Sequence, residues 1–294
     1  MNKAIIIKIV SKEYTLLIDG KMRVQAICAG KMRLDIYPVV GDEVIFEEVD
    51  GTYVIREICE RRNYMIRPNL ANIDQAIIMM SVQNPAFSYE LVNRMIFLIE
   101  YSNIKPIICI SKSDLTNDQE ICEIRTYYES MNYPVITSIK GQDASFLKDV
   151  IKGKTSVLCG QSGVGKSTLL NTISPELELK TNEISKALGR GKHTTRHVEL
   201  FELYEGFIAD TPGFSSLDLS HVDKDLLANH ISAFAPYLGE CRFNNCLHMN
   251  EPECAIKKAI EDGHIQEGFY NTYIDIMNFI ISGNFKANRH RTLK

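Results

Sequence analysis

Short apolar runs separated by polar turn residues fill the first 67 positions: Ala4–Val10, Tyr14–Ile18, Arg23–Cys28, Glu43–Glu47 and Tyr53–Ile58. Gly20, Gly30, Gly41-Asp42 and Asp50-Gly51 punctuate them. Strands this short, at this spacing, predict a small β-barrel of OB type, with a plain β-sandwich as the alternative. From about Pro68 the pattern changes. Ala76–Val82, Ile107–Ile110, Val135–Thr137 and Ser156–Cys159 are short, continuous apolar runs. Between them, Tyr89–Tyr101 and Asp118–Met131 carry apolar residues at helical spacing. That alternation predicts a parallel sheet with crossover helices, because only a strand covered on both faces is apolar throughout. His197–Leu203 and Phe207–Ala209, split by Glu205-Gly206, predict an added hairpin. From His221 the chain reads as mostly helical, with a cysteine-rich knot near the start of the segment. It closes on a basic tail holding Lys286, Arg289, His290, Arg291 and Lys294. The expected organisation is therefore multidomain α/β: a barrel over 1–67, an α/β domain over 68–220 and a helical domain over 221–294.

Composition changes this picture little. The 294 residues are 45% hydrophobic and 24% charged with a net charge of −4, ordinary for a globular chain with a sizeable core. Mild acidity argues against a protein that coats nucleic acid with a wholly basic surface, while leaving room for local basic faces. The apolar start carries Lys3 and Lys8 and reads as a strand rather than a signal peptide. No run approaches the ~20 apolar residues of a membrane span. Of eight cysteines, Cys28, Cys59, Cys109, Cys122 and Cys159 are scattered, whereas Cys241, Cys246 and Cys254 are crowded. That distribution fits a reducing cytoplasm better than a disulfide framework.

The chemistry begins at Gly160-Gln161-Ser162-Gly163-Val164-Gly165-Lys166-Ser167, a G-x-x-x-x-G-K-[ST] phosphate loop followed by Thr168. It lies between an apolar strand and the helix start Thr168–Asn171, the context that such a loop requires. Glycines let backbone N–H groups curl around phosphate oxygens, and the helix N-terminus adds positive potential. Lys166 would reach the β- and γ-phosphates, and the Ser167 hydroxyl would bind Mg²⁺. Ser111-Lys112-Ser113-Asp114 follows a strand and resembles the [NT]-K-x-D base-reading motif of GTPases, with Ser111 in place of Asn or Thr. Asp114 would accept from guanine N1–H and the exocyclic amine, a donor pair that adenine lacks; an ATP complex would leave the carboxylate unpaired. Thr137-Ser138 resembles the loop whose backbone N–H meets guanine O6, with Ser138 as the contact.

Asp210-Thr211-Pro212-Gly213 is a D-x-x-G motif at a strand end. Asp210 would hold Mg²⁺ through water, and the Gly213 N–H would sense the γ-phosphate. Between these motifs lies a basic, glycine-rich stretch, Leu188–Arg196, in which Thr194 or Thr195 is the candidate first-switch Mg²⁺ ligand. Phe214 stands where many GTPases have a water-orienting Gln, so His193 is the candidate for the catalytic water, with His197 behind it. From N to C the order is base loop, second base loop, phosphate loop, first switch, second switch. That is a circular permutation, with Lys140–Thr155 joining the former termini. It tethers the third segment directly to the second switch.

Cys241-x₄-Cys246-x-His248-x₅-Cys254 offers three thiolates and one imidazole, a set that fills all four places of a structural Zn²⁺ and leaves none open for catalysis. These features together resemble the bacterial circularly permuted GTPases of the RsgA/YjeQ/YloQ family. The resemblance is carried by Gly160–Ser167, Gly189–Thr195, Asp210–Phe214, the Cys₃His set with Glu251-Pro252-Glu253-Cys254-Ala255, and Arg62-Asn63 and Arg67-Pro68. It spans essentially the whole chain; Ser111 and a short tail depart from the family pattern. It implies an OB barrel and a zinc domain flanking the GTPase, and hydrolysis of GTP to GDP stimulated by the 30S subunit during its late maturation. It also implies contact with 16S rRNA by a monomeric, cytoplasmic protein with no membrane association. Basic clusters at Arg61/Arg62/Arg67, at Lys186/Arg190/Lys192/Arg196 and in the tail are the expected phosphate contacts. The residues leave two alternatives open: a P-loop ATPase, and an RNA-binding switch that hydrolyses little by itself.

Overall fold

The computed structural model describes residues 2–29, 37–139, 146–174, 198–210 and 219–283. Two compact units emerge, Met1–Ala76 with Gly141–Phe214 and Ile77–Lys140 with Ser215–Lys294.

In the first unit, β1 (Asn2–Val10), β2 (Glu13–Ile18), β3 (Met22–Cys28), β4 (Glu43–Val49) and β5 (Thr52–Ile58) form a closed barrel in the order β1-β2-β3-β5-β4. Closure comes from the parallel pair β3–β5, with Ala26 opposite Tyr53. Inward residues alternate as the pleat demands: Ala4 and Ile6, Leu16 and Ile18, Val44 and Phe46, with Ala26 and Ile55 completing the cluster. The barrel alternative is thus the one realised. A small hairpin, β6 (Tyr64–Met65) with β7 (Leu70–Ala71), follows it; two-residue strands carry no periodicity to read.

Asp42 is fully buried and accepts from Arg61 Nε at 2.7 Å, from Arg61 Nη2 at 2.8 Å and from the Val39 amide at 2.7 Å. A buried charge of this kind is tolerated only when so paired. Arg62 in turn pairs with Asp74 at 2.6 Å and donates to the Asn72 carbonyl. Two arginines of the first expected basic cluster are therefore engaged within the fold. Gly41 adopts φ +92°, and a Cβ there would lie 2.1 Å from the Ala71 carbonyl oxygen, so only glycine fits.

The same unit holds β11 (Thr155–Cys159), β12 (Leu200–Leu203) and β13 (Gly206–Asp210), in the order β11-β13-β12. β11 and β13 are parallel, and β12 and β13 form the expected hairpin, turning at Tyr204-Glu205 with φ of 52° and 61°. α3 (Phe146–Ile151), which the sequence left as connector, precedes β11, and α4 (Lys166–Ile173) follows it.

In the sheet, β8 (Gln75–Ser81), β9 (Lys105–Ser111) and β10 (Val135–Ser138) run in the order β10-β9-β8, with β9 and β10 parallel. Every residue of β8 is buried, which explains its unbroken apolar run. The helices of the second unit are α1 (Tyr89–Tyr101), α2 (Asp118–Glu129), α5 (Lys224–His230), α6 (Ala255–Glu261) and α7 (Glu267–Ser282). Ser88 and Asn117 cap α1 and α2 by accepting from Leu91 and Glu120 amides. α1 and α7 share a core: Phe97 lies 4.6 Å from Phe269 and 5.9 Å from Tyr273, ring centre to ring centre. Buried Asn93 donates to Thr272 Oγ1 and accepts from Tyr128. Among the described residues no helix is long and apolar enough to cross a membrane.

The last turn of α1 holds α5 at both ends. Tyr101 donates to the His221 carbonyl and accepts from the Asp223 amide, while Glu100 Oε2 accepts from Ser232 N at 3.1 Å and from Tyr133 at 3.0 Å. Glu100 is 4% exposed, and burial pushes its carboxyl up to about 7 against those hydrogen bonds. Between an unfolded value of 4.5 and a folded value of about 7 the folded chain holds a proton that the unfolded chain releases. Stability contributed by this group is therefore full at low pH and falls as pH rises through that window, by about 3 kcal/mol in order of magnitude. Glu100→Gln is expected to remove that slope and to raise the melting temperature at pH 8 relative to the native chain. Parallel Tm-against-pH curves for the two proteins would refute it.

Candidate functional site

Sequence dictates the phosphate loop's shape directly. Gly160, Gly163 and Gly165 take φ of 141°, 88° and 102°, left-handed values that side chains disfavour. Gly165 is the cap residue before α4, so Lys166, Ser167 and Thr168 occupy the helix's first turn, where amides lack helical partners. Val164 is buried beneath the loop and anchors it. Lys166 is 8% exposed, and its Nζ donates to the Gly160 and Gln161 carbonyls, each at 2.8 Å. The ammonium is thereby held over the loop's own concavity. Gln161 Oε1 is buried with no hydrogen-bond partner. Cys159, at the end of β11, is fully buried, and burial pushes its thiol up to about 12, so it packs rather than reacts. The backbone of Asp210, last in β13, lies opposite Leu158 of β11, next to the strand end that feeds the loop.

In the second unit, β9 and β10 end together, with Ser111 opposite Ser138 and both buried. Parallel strands present ligands at their carboxyl ends, which is where both residues sit. Lys112 adopts φ 55° and sends Nζ back to the Gln83 and Asn84 carbonyls. Gln83 donates to the Leu115 carbonyl at 2.8 Å, and Asp114 is exposed on the intervening 3₁₀ turn, Ser113–Leu115. The loop is thus braced from the Gln83-Asn84 side, leaving the carboxylate accessible. Sequence reasoning missed this brace because nothing in a Gln-Asn pair marks it as a partner of a loop about thirty residues on.

The second unit also assembles the Cys₃His cluster. The ligand atoms of Cys241, Cys246, His248 and Cys254 all lie within 4.8 Å of one another. His248 Nδ1 stands 3.6 Å from Cys241 Sγ and 3.5 Å from Cys254 Sγ, and the two sulfurs are 4.0 Å apart. Tetrahedral Zn²⁺, with ~2.3 Å bonds to sulfur and ~2.05 Å to nitrogen, requires ~3.55 Å and ~3.8 Å for those separations. The donors fit such an ion. The Ala255 and His248 amides each donate to a cysteine sulfur, at 3.4 Å. Without a cation the crowding is unfavourable: burial pushes the Cys246 thiol up to about 12 and raises Cys254, while it lowers His248. A dication reverses that balance by stabilising thiolates.

Three residues beyond the ligands shape this knot. Glu251 accepts from the Leu247 and Met249 amides, and these bonds hold its carboxyl below the usual range against burial. Tyr270 and Tyr273, three apart on α7, donate at 2.7 Å to the His248 and Leu247 carbonyls. Their spacing is visible in sequence, but their target is not. His193, Thr194, Thr195, His197 and Gly213 lie outside the described residues, as do the basic stretch at 186–196 and the basic tail.

A family model described as RsgA GTPase matches residues 58–220. The chain is 44% identical over 293 residues to the small ribosomal subunit biogenesis GTPase RsgA of Bacillus subtilis, covering 95% of this chain and 98% of that one. It is 45% identical to RsgA 1 of Listeria monocytogenes over 92% of this chain and 95% of that one. Among solved structures, YloQ, a circularly permuted GTPase, aligns with a TM-score of 0.78 at 36% identity over 96% of each chain. YjeQ from Thermotoga maritima aligns with the same score at 29% identity over 95% of this chain and 98% of that one. The phosphate loop, the permuted order of motifs and the extent of these matches lead to one conclusion: this chain is a GTPase belonging to the RsgA family.

Proposed function

We propose that the chain hydrolyses GTP to GDP and phosphate on the small ribosomal subunit, in late 30S maturation, and leaves that subunit on hydrolysis. The observation that carries the reading is the loop Gly160–Thr168, built on left-handed glycines with Lys166 held over its carbonyls, in a chain that matches RsgA relatives nearly end to end. In this reading the domains are the barrel over 1–67, the permuted GTPase over 68–220 and the metal-binding helical domain over 221–294. Gly160–Thr168 hold the phosphates, with Gly213 reporting on the γ-phosphate. Ser111, Lys112, Asp114 and Ser138 read guanine. Ser167, Asp210 and Thr194 or Thr195 carry Mg²⁺, and His193 orients water. Zn²⁺ is the ion of the Cys₃His cluster, as its donor set and spacings support. The protein acts as a cytoplasmic monomer whose rRNA contacts come from basic residues not engaged within the fold.

Turnover with and without purified 30S subunits tests the proposal. Stimulation is expected with 30S and absent with 50S; equal rates in all three conditions would overturn the ribosomal assignment while leaving the nucleotide chemistry intact. Asp114→Ala is expected to lower GTP affinity about 100-fold, since it removes the acceptor for two guanine donors, and to leave ATP binding unchanged. Competition of GTP and ATP against a fluorescent GDP reads this; unaltered GTP affinity would remove Asp114 from base reading.

A further inference from the structure

Asp114, the acceptor proposed for guanine, sits on a turn that packing does not hold. The 3₁₀ turn Ser113–Leu115 contains no buried residue, and Leu115, beside Asp114, is 45% exposed. An internal bond joins the Leu115 amide to the Lys112 carbonyl at 2.9 Å. Lys112 enters the turn at φ 55°, a left-handed value that is sterically unfavourable for lysine. A 3₁₀ turn of this length has poor hydrogen-bond geometry and little stability of its own. Whatever fixes the carboxylate therefore acts from outside the turn.

The chain just past β8 supplies that hold. The Val82 amide donates to the Ser111 carbonyl at 3.2 Å, where β9 gives way to the base loop. The Gln83 and Asn84 carbonyls accept from Lys112 Nζ. The Gln83 side chain ties the far end, its Nε2 donating to the Leu115 carbonyl at 2.8 Å. This stretch is itself set from the core. Ser81 is fully buried, and its hydroxyl donates to the Pro85 carbonyl at 2.7 Å, closing the turn over 82–85. Of these contacts onto the base loop, the bond to Leu115 alone comes from a side chain of the stretch. A substitution at Gln83 removes it and leaves the backbone pairings in place.

We propose that Gln83 is a positioning residue for base selectivity: by holding the Leu115 carbonyl, it keeps the Asp114 carboxylate where guanine N1–H and the exocyclic amine are met together. The inference rests on the reading of Asp114 as the guanine acceptor. A single hydrogen bond tolerates a tilted carboxylate. Two parallel bonds to a rigid base do not, because each weakens steeply as its angle closes. A turn freed at Leu115 therefore sacrifices one of the pair before it loses the base altogether. The requirement at position 83 is for a donor. The Leu115 carbonyl accepts from the Gln83 amide, whereas a carboxylate of the same shape would face it oxygen to oxygen.

Competition against a fluorescent GDP on the full-length protein, at neutral pH, gives the affinities of GDP and of IDP. The hypoxanthine base of IDP keeps N1–H and lacks the exocyclic amine, so the GDP-to-IDP ratio reads the second bond directly. Gln83→Ala is expected to lower GDP affinity about fivefold, the worth of one hydrogen bond, and IDP affinity less, so that the ratio falls about threefold. Gln83→Glu, nearly isosteric but without the donor, is expected to lose at least as much. Gln83 is exposed, so both variants should melt with the native protein. A native ratio in Gln83→Ala would overturn the proposal, and a native ratio in Gln83→Glu would do so by showing that shape rather than N–H donation matters. Equal losses for GDP and IDP would overturn it as well, as a general loosening of the site. Asp114→Ala, measured alongside, separates the two levels. If it erases the preference for GDP while Gln83→Ala keeps it, the inference alone fails. If Asp114→Ala also keeps the preference, the guanine reading fails and the inference with it.

Discussion

Lys166→Ala abolishes measurable GTP turnover in the presence of 30S subunits, with kcat/KM down by at least about 10²–10³-fold. The argument starts from placement. The Lys166 ammonium is buried and donates to the loop carbonyls of Gly160 and Gln161. A phosphate oxygen is a far better acceptor for it than a neutral carbonyl, since charge-assisted bonds are roughly twice as strong. As charge builds on the leaving β–γ bridge, that interaction strengthens, which lowers the barrier rather than merely tightening binding. Alanine keeps the helix start, so α4 should persist and circular dichroism should be unchanged. Single-turnover hydrolysis at saturating GTP separates chemistry from affinity. Activity within threefold of the native protein would remove Lys166, and with it the phosphate-loop assignment.

Cys254→Ser is expected to release the metal and unravel the knot that seats α6. Cys254 is both a cluster member and the residue from which α6 starts, its carbonyl accepting from Lys258. Structural zinc in small domains contributes apparent free energies of about 10–16 kcal/mol near neutral pH, more than most domains' total stability. The stretch from Cys241 to Cys254 has few apolar residues to replace that contribution. Native protein should carry one equivalent of zinc by elemental analysis, and the variant well under half. Exchange protection should fall at the Leu247 and Met249 amides, which Glu251 holds, and at the start of α7, where Tyr270 and Tyr273 bond the knot's carbonyls. The hydrophobic core between α1 and α7, built on Phe97, Phe269 and Tyr273, should survive. A variant retaining full zinc and protection would show that Cys254 is not a ligand.

Much of both sites is written locally. The phosphate loop is legible because every backbone requirement falls on consecutive residues: three glycines at left-handed φ, then a helix start. The Cys₃His set is legible because its four donors fall within fourteen residues, although their convergence to within 4.8 Å of one another is a property of the fold alone. Barrel strands were legible through alternation, and β8 through its unbroken apolar run. Less legible were α3, whose six residues are too few for a periodic signal, and the β6–β7 hairpin.

The sequence by itself determined the permuted order of motifs, the kinds of strands and helices, and the identity of the candidate ligands. Those follow from residue type and short-range spacing, which chain connectivity preserves. Only tertiary structure decided which charges are committed and which remain for partners. Arg61 reads as part of a basic cluster, yet its guanidinium is bound to a fully buried Asp42, nineteen residues away. Nothing in the helical pattern Tyr89–Tyr101 singles out Glu100, yet it bridges Tyr133 and Ser232 and its carboxyl is pushed up to about 7. Electrostatic and hydrogen-bonding partners of this kind are fixed by proximity in space, and no pattern along the chain records them.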